Sequence, residues 1–374
     1  MALGFFKRKK DKAKDNKETM NSHYYNLTVK NIIQETKDAI TIVFEMPDNG
    51  IAYKSGQFLT LIADIDGKEV RRSYSFCSSP FVDEDVAVTV KRVEGGLMSN
   101  YLPDQLNVGD TLRVMEPMGV FTTEYKEDNK RHLVMFAGGS GITPLMSISK
   151  SMLTKEPDSI VSLIYCNRDI DSIIFKDDLD DLQTQYEGKL QVIHVLDNAP
   201  MNWQGHSGLL NHEMLKKLFE RMPDWGTEKT TYLMCGPEGM MNNVETLLAL
   251  QNIPKDRIFK ESFVSGTIKK EAKEEEATEP DEIITREVMI IYDGEEHKFT
   301  VEPGSTILET ALDLDIDLPY SCQSGLCTAC RGKCLSGKVK LDEEEGLSEQ
   351  EIEEGYVLTC VGHPLTDDVV IEIG

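Results

Sequence analysis

The stretch Cys322-Gln-Ser-Gly-Leu-Cys327-Thr-Ala-Cys330, followed at a distance by Cys360, decides how the C-terminal part of the chain is built. Thiols spaced C-x4-C-x2-C with a remote fourth match the plant-type ligand set of a 2Fe–2S cluster. A tight loop presents three sulfurs to one side only, so the fourth has to arrive from a separate part of the fold. Gly325 lets the loop turn sharply and brings backbone N–H groups toward the sulfurs. Structural zinc more often takes two CxxC knuckles, or CxxC with HxxxH; free thiols are the other alternative. Cys334 extends the run to C-x4-C-x2-C-x3-C. The bacterial cluster run, however, begins C-x2-C and places Pro after its last Cys, where this chain has Leu335. Cys334 therefore reads as a spare buried thiol, and the expected ligands are Cys322, Cys327, Cys330 and Cys360.

Working outward, Val288–Tyr292 and Lys298–Val301 flank Asp293-Gly294 as a hairpin, and Ser305–Leu314 reads as a helix. Upstream, residues 267–285 are charged and nearly free of aromatics, a composition that cannot bury enough surface to fold alone. They read as an acidic linker. Before it, short apolar strands recur at Leu133–Ala137, Ile160–Cys166, Leu190–Leu196, Thr231–Cys235 and Arg257–Phe263, with helical stretches between them. Such alternation implies a doubly wound α/β parallel sheet over residues 127–266, with helices on both faces. Earlier still, Ala39–Met46 and Asp85–Val93 are rich in β-branched residues, and Asp66-Gly67 marks a hairpin. Short strands and turns across residues 22–126 suggest a small antiparallel β-barrel. Residues 1–21 are lysine-rich and read as a disordered basic tail. The chain is thus multidomain, with a further unit at 286–374.

Composition narrows the function classes. The formal charge of −25 argues against nucleic acid, whose phosphates require a basic face. Residues 281–374 carry six Lys or Arg against twenty-two Asp or Glu, a net of −16. An acidic surface concentrated around a redox cluster would steer a basic partner into contact; a merely solvated face is the alternative. No apolar run approaches the roughly 18 residues that span a bilayer. The apolar patch at the N-terminus is too short for a secretory signal. Eight cysteines, four of them assigned to a cluster, suit a reducing compartment, and the expected location is cytoplasmic.

Gly138-Gly-Ser-Gly-Ile-Thr-Pro144 joins a buried strand to a helix. Its glycines let backbone approach a pyrophosphate, and a helix N-terminus offers free N–H donors, although a purely structural turn would look the same. Cys235-Gly-Pro-Glu-Gly-Met240 has the same placement on a later strand, at the sheet's expected switch point. In the barrel, Arg72-Ser-Tyr-Ser75 ends a strand and Gly95-Gly-Leu-Met-Ser99 opens a helical turn. Arg72 suits a phosphate, Tyr74 a planar ring, and Ser99 with its neighbouring N–H groups a second phosphate. An Arg–Tyr surface pair is the plain alternative. Asn167-Arg168 ends the second parallel strand, where an adenosine ribose would lie. Arg168 there favours the 2′-phosphate of NADPH over the 2′-hydroxyl of NADH.

Taken together and in this order, these motifs resemble the ferredoxin–NADP reductase superfamily with a C-terminal plant-type 2Fe–2S ferredoxin domain. Within it, the chain is similar to the reductase components of phenylacetyl-CoA epoxidase-type oxygenases. The resemblance spans residues 22–265 and 286–374. It implies an FAD-binding barrel (FMN serves a minority), an NAD(P)-binding sheet and an α+β, β-grasp-like ferredoxin unit. Arg72 would meet the flavin phosphate, Tyr74 and Ser75 the isoalloxazine and its side chain, and Ser73 between them is a further cofactor-binding candidate. Gly95, Gly96, Leu97, Met98 and Ser99 correspond to the flavin pyrophosphate motif. Gly138, Gly139, Ser140, Gly141, Thr143 and Pro144 correspond to the nicotinamide-nucleotide motif, with Thr143 near the nicotinamide. Cys235 would face the hydride-transfer position, with Gly236 and Pro237 beside it, so Cys235, Thr143 and Tyr74 are the catalytic candidates. Glu261 and Phe263 fall where family members place a residue near the flavin edge.

The implied activity is an NAD(P)H-dependent oxidoreductase passing electrons from NADPH through FAD and the 2Fe–2S cluster to a protein acceptor. That acceptor would be an oxygenase or hydroxylase docking near the acidic ferredoxin unit. The alternatives are a stand-alone diaphorase or oxidase, a reductase for a desaturase or hybrid-cluster protein, and a non-catalytic redox sensor.

Overall fold

The computed structural model describes residues 23–263, 285–344 and 346–374. The expected basic tail and, apart from Thr285, the expected linker lie outside the described residues.

The first unit is a six-stranded antiparallel sheet in the order β4-β3-β6-β1-β2-β5. Its strands are β1 (Tyr24–Thr36), β2 (Ala39–Phe44), β3 (Phe58–Ile65), β4 (Lys68–Ser75), β5 (Val86–Lys91) and β6 (Thr111–Met115). A bridge from Phe76 to Val88 draws its two edges together into the expected barrel. Alternate residues such as Ile40, Ile42 and Phe44, or Val86, Val88 and Val90, fill the interior, as a period of two requires. Helix α1 (Leu97–Gln105) closes that core with Met98 and Leu102. At the β3–β4 turn, Asp66 and Gly67 have φ of 56° and 77°, the paired positive values that match strand twist in a two-residue hairpin.

The second unit is wholly parallel, in the order β10-β9-β8-β7-β11-β12. Its strands are β7 (His132–Gly138), β8 (Ile160–Asn167), β9 (Leu190–Leu196), β10 (His206–Ser207), β11 (Thr230–Cys235) and β12 (Ile258–Glu261). Along β7, Leu133, Met135 and Ala137 pack with α2 (Ile142–Lys155) and α3 (Lys176–Gln185). Val134 and Phe136 pack with α4 (His212–Phe219) and α5 (Glu238–Leu250) on the other face. Both faces are covered, which is why β7 is apolar from Leu133 to Ala137. From β7 the order runs one way to β8 and the other way to β11, so the switch point lies between β7 and β11. The last strand is shorter than the expected Arg257–Phe263. A single 3₁₀ turn over Lys255–Arg257, following Pro254, takes up its start, and it ends at Glu261.

The third unit is a five-stranded mixed sheet in the order β14-β13-β19-β15-β17 beside a β16–β18 pair. The strands are β13 (Arg286–Tyr292), β14 (Glu295–Val301), β15 (Arg331–Ser336), β16 (Val339–Leu341), β17 (Tyr356–Leu358), β18 (Gly362–Pro364) and β19 (Val369–Ile373). Helix α6 (Ile307–Asp313) starts at a capping box in which Thr306 and Glu309 satisfy each other's backbone N–H groups. Leu308 and Ala311 seat it on the sheet. Among the described residues no helix is long and apolar enough to cross a membrane.

Candidate functional site

All three units meet at one cleft of about 1340 Å³. Its walls include Arg72–Ser75 from β4, Gly95–Ser99 at the start of α1, Ser140 and Thr143 at the start of α2, Glu261–Phe263 after β12, and Ser321–Ser324 with Cys327 from the cysteine loop. Residues far apart in the chain thus share one surface, brought there by the barrel rim, the carboxyl end of the parallel sheet and the cluster loop.

On the barrel side, Arg72 is exposed toward the cleft and makes no ion pair among the described residues; its guanidinium donates to the Arg71 carbonyl at 2.7 Å. An unpaired cation beside the uncapped N-terminus of α1 suits an anionic phosphate. Tyr74 is half-buried, and burial raises its phenol above the ordinary value. Leu97 is exposed, whereas Met98 belongs to the barrel core. Ser99 Oγ already accepts from the Val93 N–H at 3.2 Å, so this hydroxyl shapes the turn. A Cβ on Gly96 would lie 2.4 Å from Ser99 Oγ, which explains glycine there. Gly95 has φ of 70°.

At the switch point the two glycine motifs pack on one another. A Cβ on Gly141 would sit 2.0 Å from the Cys235 carbonyl oxygen, and one on Gly138 2.3 Å from Pro237 Cδ. A Cβ on Gly236 would lie 2.8 Å from Gly138 Cα. The small residues therefore do double duty, fitting the ends of β7 and β11 together and leaving backbone open to the cleft. Gly139 adopts φ of 53°. Its carbonyl accepts from the hydroxyl of Tyr165, a buried β8 residue that no local motif flagged. Among the described residues, helix α2 begins with no side-chain cap and no acid in its first turn; the Ile142 N–H bonds back to the Gly139 and Ser140 carbonyls of a short 3₁₀ turn (Gly139–Gly141), so the positive end of the helix lies at that glycine turn. Thr143 is buried, its hydroxyl donating to the Ser140 carbonyl at 3.0 Å, and Pro144 is tolerated within the helix's first turn.

Cys235 is fully buried, and burial followed by the nearby Glu261 carboxyl pushes its thiol well above the ordinary value. Glu261 is its register partner on β12. Burial pushes the Glu261 carboxyl up to about 8, only partly opposed by the hydrogen bond from Ser75 Oγ at 3.2 Å. Arg168, by contrast, does not line the cleft. Its side chain is 55% exposed and leans toward Asp169 at 3.5 Å and Asp38 at 3.9 Å.

The four cysteines converge. Cys327 Sγ donates to Cys322 Sγ at 3.2 Å, and the thiols of Cys360 and Cys330 continue the same set of contacts. Hydrogen bonds from Cys327 and Cys360 hold the Cys322 thiol far below its ordinary value. Among the described residues, no three His, Cys, Asp or Glu side chains gather as a single ion requires. A 2Fe–2S cluster divides four thiolates between two irons, and this donor set fits it. Among the described residues, Ser321 Oγ and Ser324 Oγ are buried beside Cys322 with no hydrogen-bond partner, and the Ser324 N–H already donates to Cys322 Sγ at 3.4 Å. These donors suit sulfur acceptors. Gly325 has φ of 73°, and a Cβ there would lie 2.7 Å from that of Glu343, so only glycine fits the loop. Cys334 departs from expectation. It is half-buried on β15, and its thiol donates to the Ser336 carbonyl at 3.2 Å, because it lies past Lys333, the last β15 residue that β17 pairs.

Comparison with known proteins follows the same three units. Residues 26–123 match the oxidoreductase FAD-binding domain, 135–246 the oxidoreductase NAD-binding domain and 290–365 the 2Fe-2S iron-sulfur cluster binding domain. The chain is 34% identical to a 1,2-phenylacetyl-CoA epoxidase subunit from Escherichia coli (strain K12), over 93% of this chain and 97% of that protein. It is 37% identical to the ferredoxin reductase component of 3-ketosteroid-9-alpha-monooxygenase from Rhodococcus rhodochrous, over 92% and 96%. The glycine betaine monooxygenase reductase subunit of Pseudomonas aeruginosa (strain UCBPP-PA14) is 30% identical over 91% and 93%. Among solved structures, phthalate dioxygenase reductase shares the fold with a TM-score of 0.58 at 21% identity, covering 94% of this chain and 98% of that one.

Proposed function

This chain belongs to the reductase components of multicomponent oxygenases that join FAD-binding, NAD-binding and 2Fe–2S domains, and from that membership we propose how its residues divide the work. It is an oxidoreductase that passes electrons from a nicotinamide coenzyme through FAD and a 2Fe–2S cluster to an oxygenase. When bound, the flavin accepts a hydride's two electrons together and releases them singly, which the cluster requires.

The residue roles form one scheme. Arg72 and the open start of α1 hold the flavin's phosphates, while Ser73, Tyr74 and Ser75 orient its ring system. Gly138–Pro144 and Gly236-Pro237 seat the coenzyme on the α2 N-terminus, with Thr143 and Cys235 shaping the place where the nicotinamide meets the flavin. Glu261 holds a proton and bonds Ser75 there. Arg168 selects NADPH by its charge. Cys322, Cys327, Cys330 and Cys360 bind the cluster, and residues 22–126, 127–266 and 286–374 act as the three working units.

The observation that carries this reading is the shared cleft, in which Tyr74, Thr143 and Cys327 line one surface. A stand-alone oxidase has no need of thiols there. Relatives named for a CoA thioester, a steroid and a betaine are similarly related to this chain, so the substrate is assigned to the partner oxygenase. That partner docks near the acidic third unit, and its reduction should slow as salt rises. The direct test is Cys327→Ser. The variant keeps coenzyme oxidation with an artificial hydride-level acceptor and loses reduction of a one-electron protein acceptor. Equal activity toward both would refute the scheme.

A further inference from the structure

Successive residues of β4 serve different neighbours. Arg72 faces the cleft, whereas Arg71 is turned away from it and is only 7% exposed, an unusual place for a guanidinium. What surrounds Arg71 comes from two units. From the barrel, Glu69 accepts from its Nε at 2.8 Å and the Tyr24 hydroxyl from its Nη1 at 3.2 Å. From the ferredoxin unit, Asp317 Oδ1 lies 3.6 Å from its Nη2, and the Tyr320 ring centroid lies 4.1 Å from its guanidinium carbon. The Tyr24 hydroxyl completes the ring of contacts by donating to Asp317 Oδ2 at 2.7 Å. Nearby, His23 of the barrel stacks on Tyr292 of β13 at 5.2 Å and bridges toward Asp293 at 3.5 Å.

Tyr320 stands two residues before Cys322, and Asp317 begins the same short segment. Arg71 therefore grips the strand of chain that delivers the first cluster ligand, while its neighbour Arg72 lines the cleft. We propose that Arg71 is a positioning residue for internal electron transfer, fixing the cluster loop against the flavin side of the cleft through Asp317 and Tyr320. This rests on the electron path proposed above. The passage of single electrons falls steeply with distance, so a loop that loses this grip should be starved of electrons while hydride entry continues. Planar stacking on Tyr320 together with forked bonding to Glu69 and Tyr24 explains why an arginine occupies the site.

The test uses the full chain with its cofactors and the variants Arg71→Met, Asp317→Arg and the conservative Arg71→Lys. Two readouts are taken: hydrogen exchange across residues 316–322, and anaerobic stopped-flow spectra that separate flavin bleaching from cluster reduction. Arg71→Met and Asp317→Arg should exchange at least about tenfold faster in that segment and reduce the cluster about tenfold more slowly. Flavin bleaching by the coenzyme should stay within about twofold, and Arg71→Lys, which keeps the charge but not the planar stack, should recover both properties only in part. Unchanged cluster reduction in Arg71→Met and Asp317→Arg would overturn the proposal, as would bleaching that falls in step with it. A parent chain whose cluster never accepts electrons would instead overturn the underlying path.

Discussion

Ser75 Oγ donates a hydrogen bond to Glu261 Oε2 at 3.2 Å, tying the end of a barrel strand to the end of the last strand of the parallel sheet. The bond closes the floor of the cleft beside Cys235, and the Glu261 carboxyl is raised by burial to about 8 from an ordinary 4.5. Glu261 is therefore protonated at neutral pH and ionises near pH 8. The folded chain holds this proton more tightly than the unfolded chain does. Its contribution to stability is full below about 4.5 and is lost as pH rises through about 8. In Glu261→Gln, the decline in stability across that window should flatten, as urea denaturation at pH 5.5 and 8.5 would reveal. An alkaline limb in the pH profile of flavin reduction should also disappear.

The meeting of Ser75 and Glu261 explains what is legible in the sequence and what is not. Spacing alone exposes Cys322, Cys327 and Cys330, because a loop that wraps iron must be local. Alternating strand and helix grammar exposes the parallel sheet, and the glycine turns mark its switch point. Contacts between elements distant in the chain leave no such trace. Ser75–Glu261, the Tyr165 prop under Gly139 and the Arg71 grip on Tyr320 each join residues from separate elements, so no periodicity records them. The β-branched and aromatic residues of β12 suggest too early a start for that strand, because they outweigh the local 3₁₀ preference after Pro254. Cys334 reads as buried because a free cysteine is most often a small buried hydrophobe, and its polar neighbours Lys333 and Ser336 do not disclose how far the adjoining strand covers it.

Close packing of the glycine motifs gives a second prediction. In Gly141→Ala the new methyl would lie 2.0 Å from the Cys235 carbonyl, a backbone atom that cannot swing aside. Overpacking of this kind costs about 1–3 kcal/mol. The variant should lose roughly that much in chemical denaturation, and its KM for the coenzyme should rise because the β7 and β11 ends no longer fit together.

Arg168 tests coenzyme choice. Its guanidinium is exposed and leans on Asp38 and Asp169, so it is available to a 2′-phosphate only in competition with two acids. Arg168→Ala should lower kcat/KM for NADPH by about tenfold, the scale of one charged contact of roughly 1.4 kcal/mol or more. NADH should change by less than about threefold. A parent enzyme that prefers NADH would remove Arg168 from this role.

A fourth prediction concerns the support of β7. The carboxylate of Glu156, fully buried after α2, accepts from Arg131 Nε at 3.0 Å and Nη2 at 2.7 Å, and from Asn129 at 2.7 Å. Removing one side of a buried ion pair strands the other, at a cost of about 3–5 kcal/mol. Glu156→Ala should shift the urea midpoint by that equivalent with an unchanged slope, while the visible spectra of flavin and cluster in the surviving folded protein stay as before.

The most direct measurement is an anaerobic reductive titration of the cofactor-loaded chain, followed at flavin and cluster wavelengths together. Full reduction at about three electrons per chain is expected, two stored on the flavin and one on the cluster, with Cys327→Ser stopping at about two. Saturation of the parent chain at about two electrons, with no cluster signal and no difference from the variant, would contradict conversion of paired electrons into single ones.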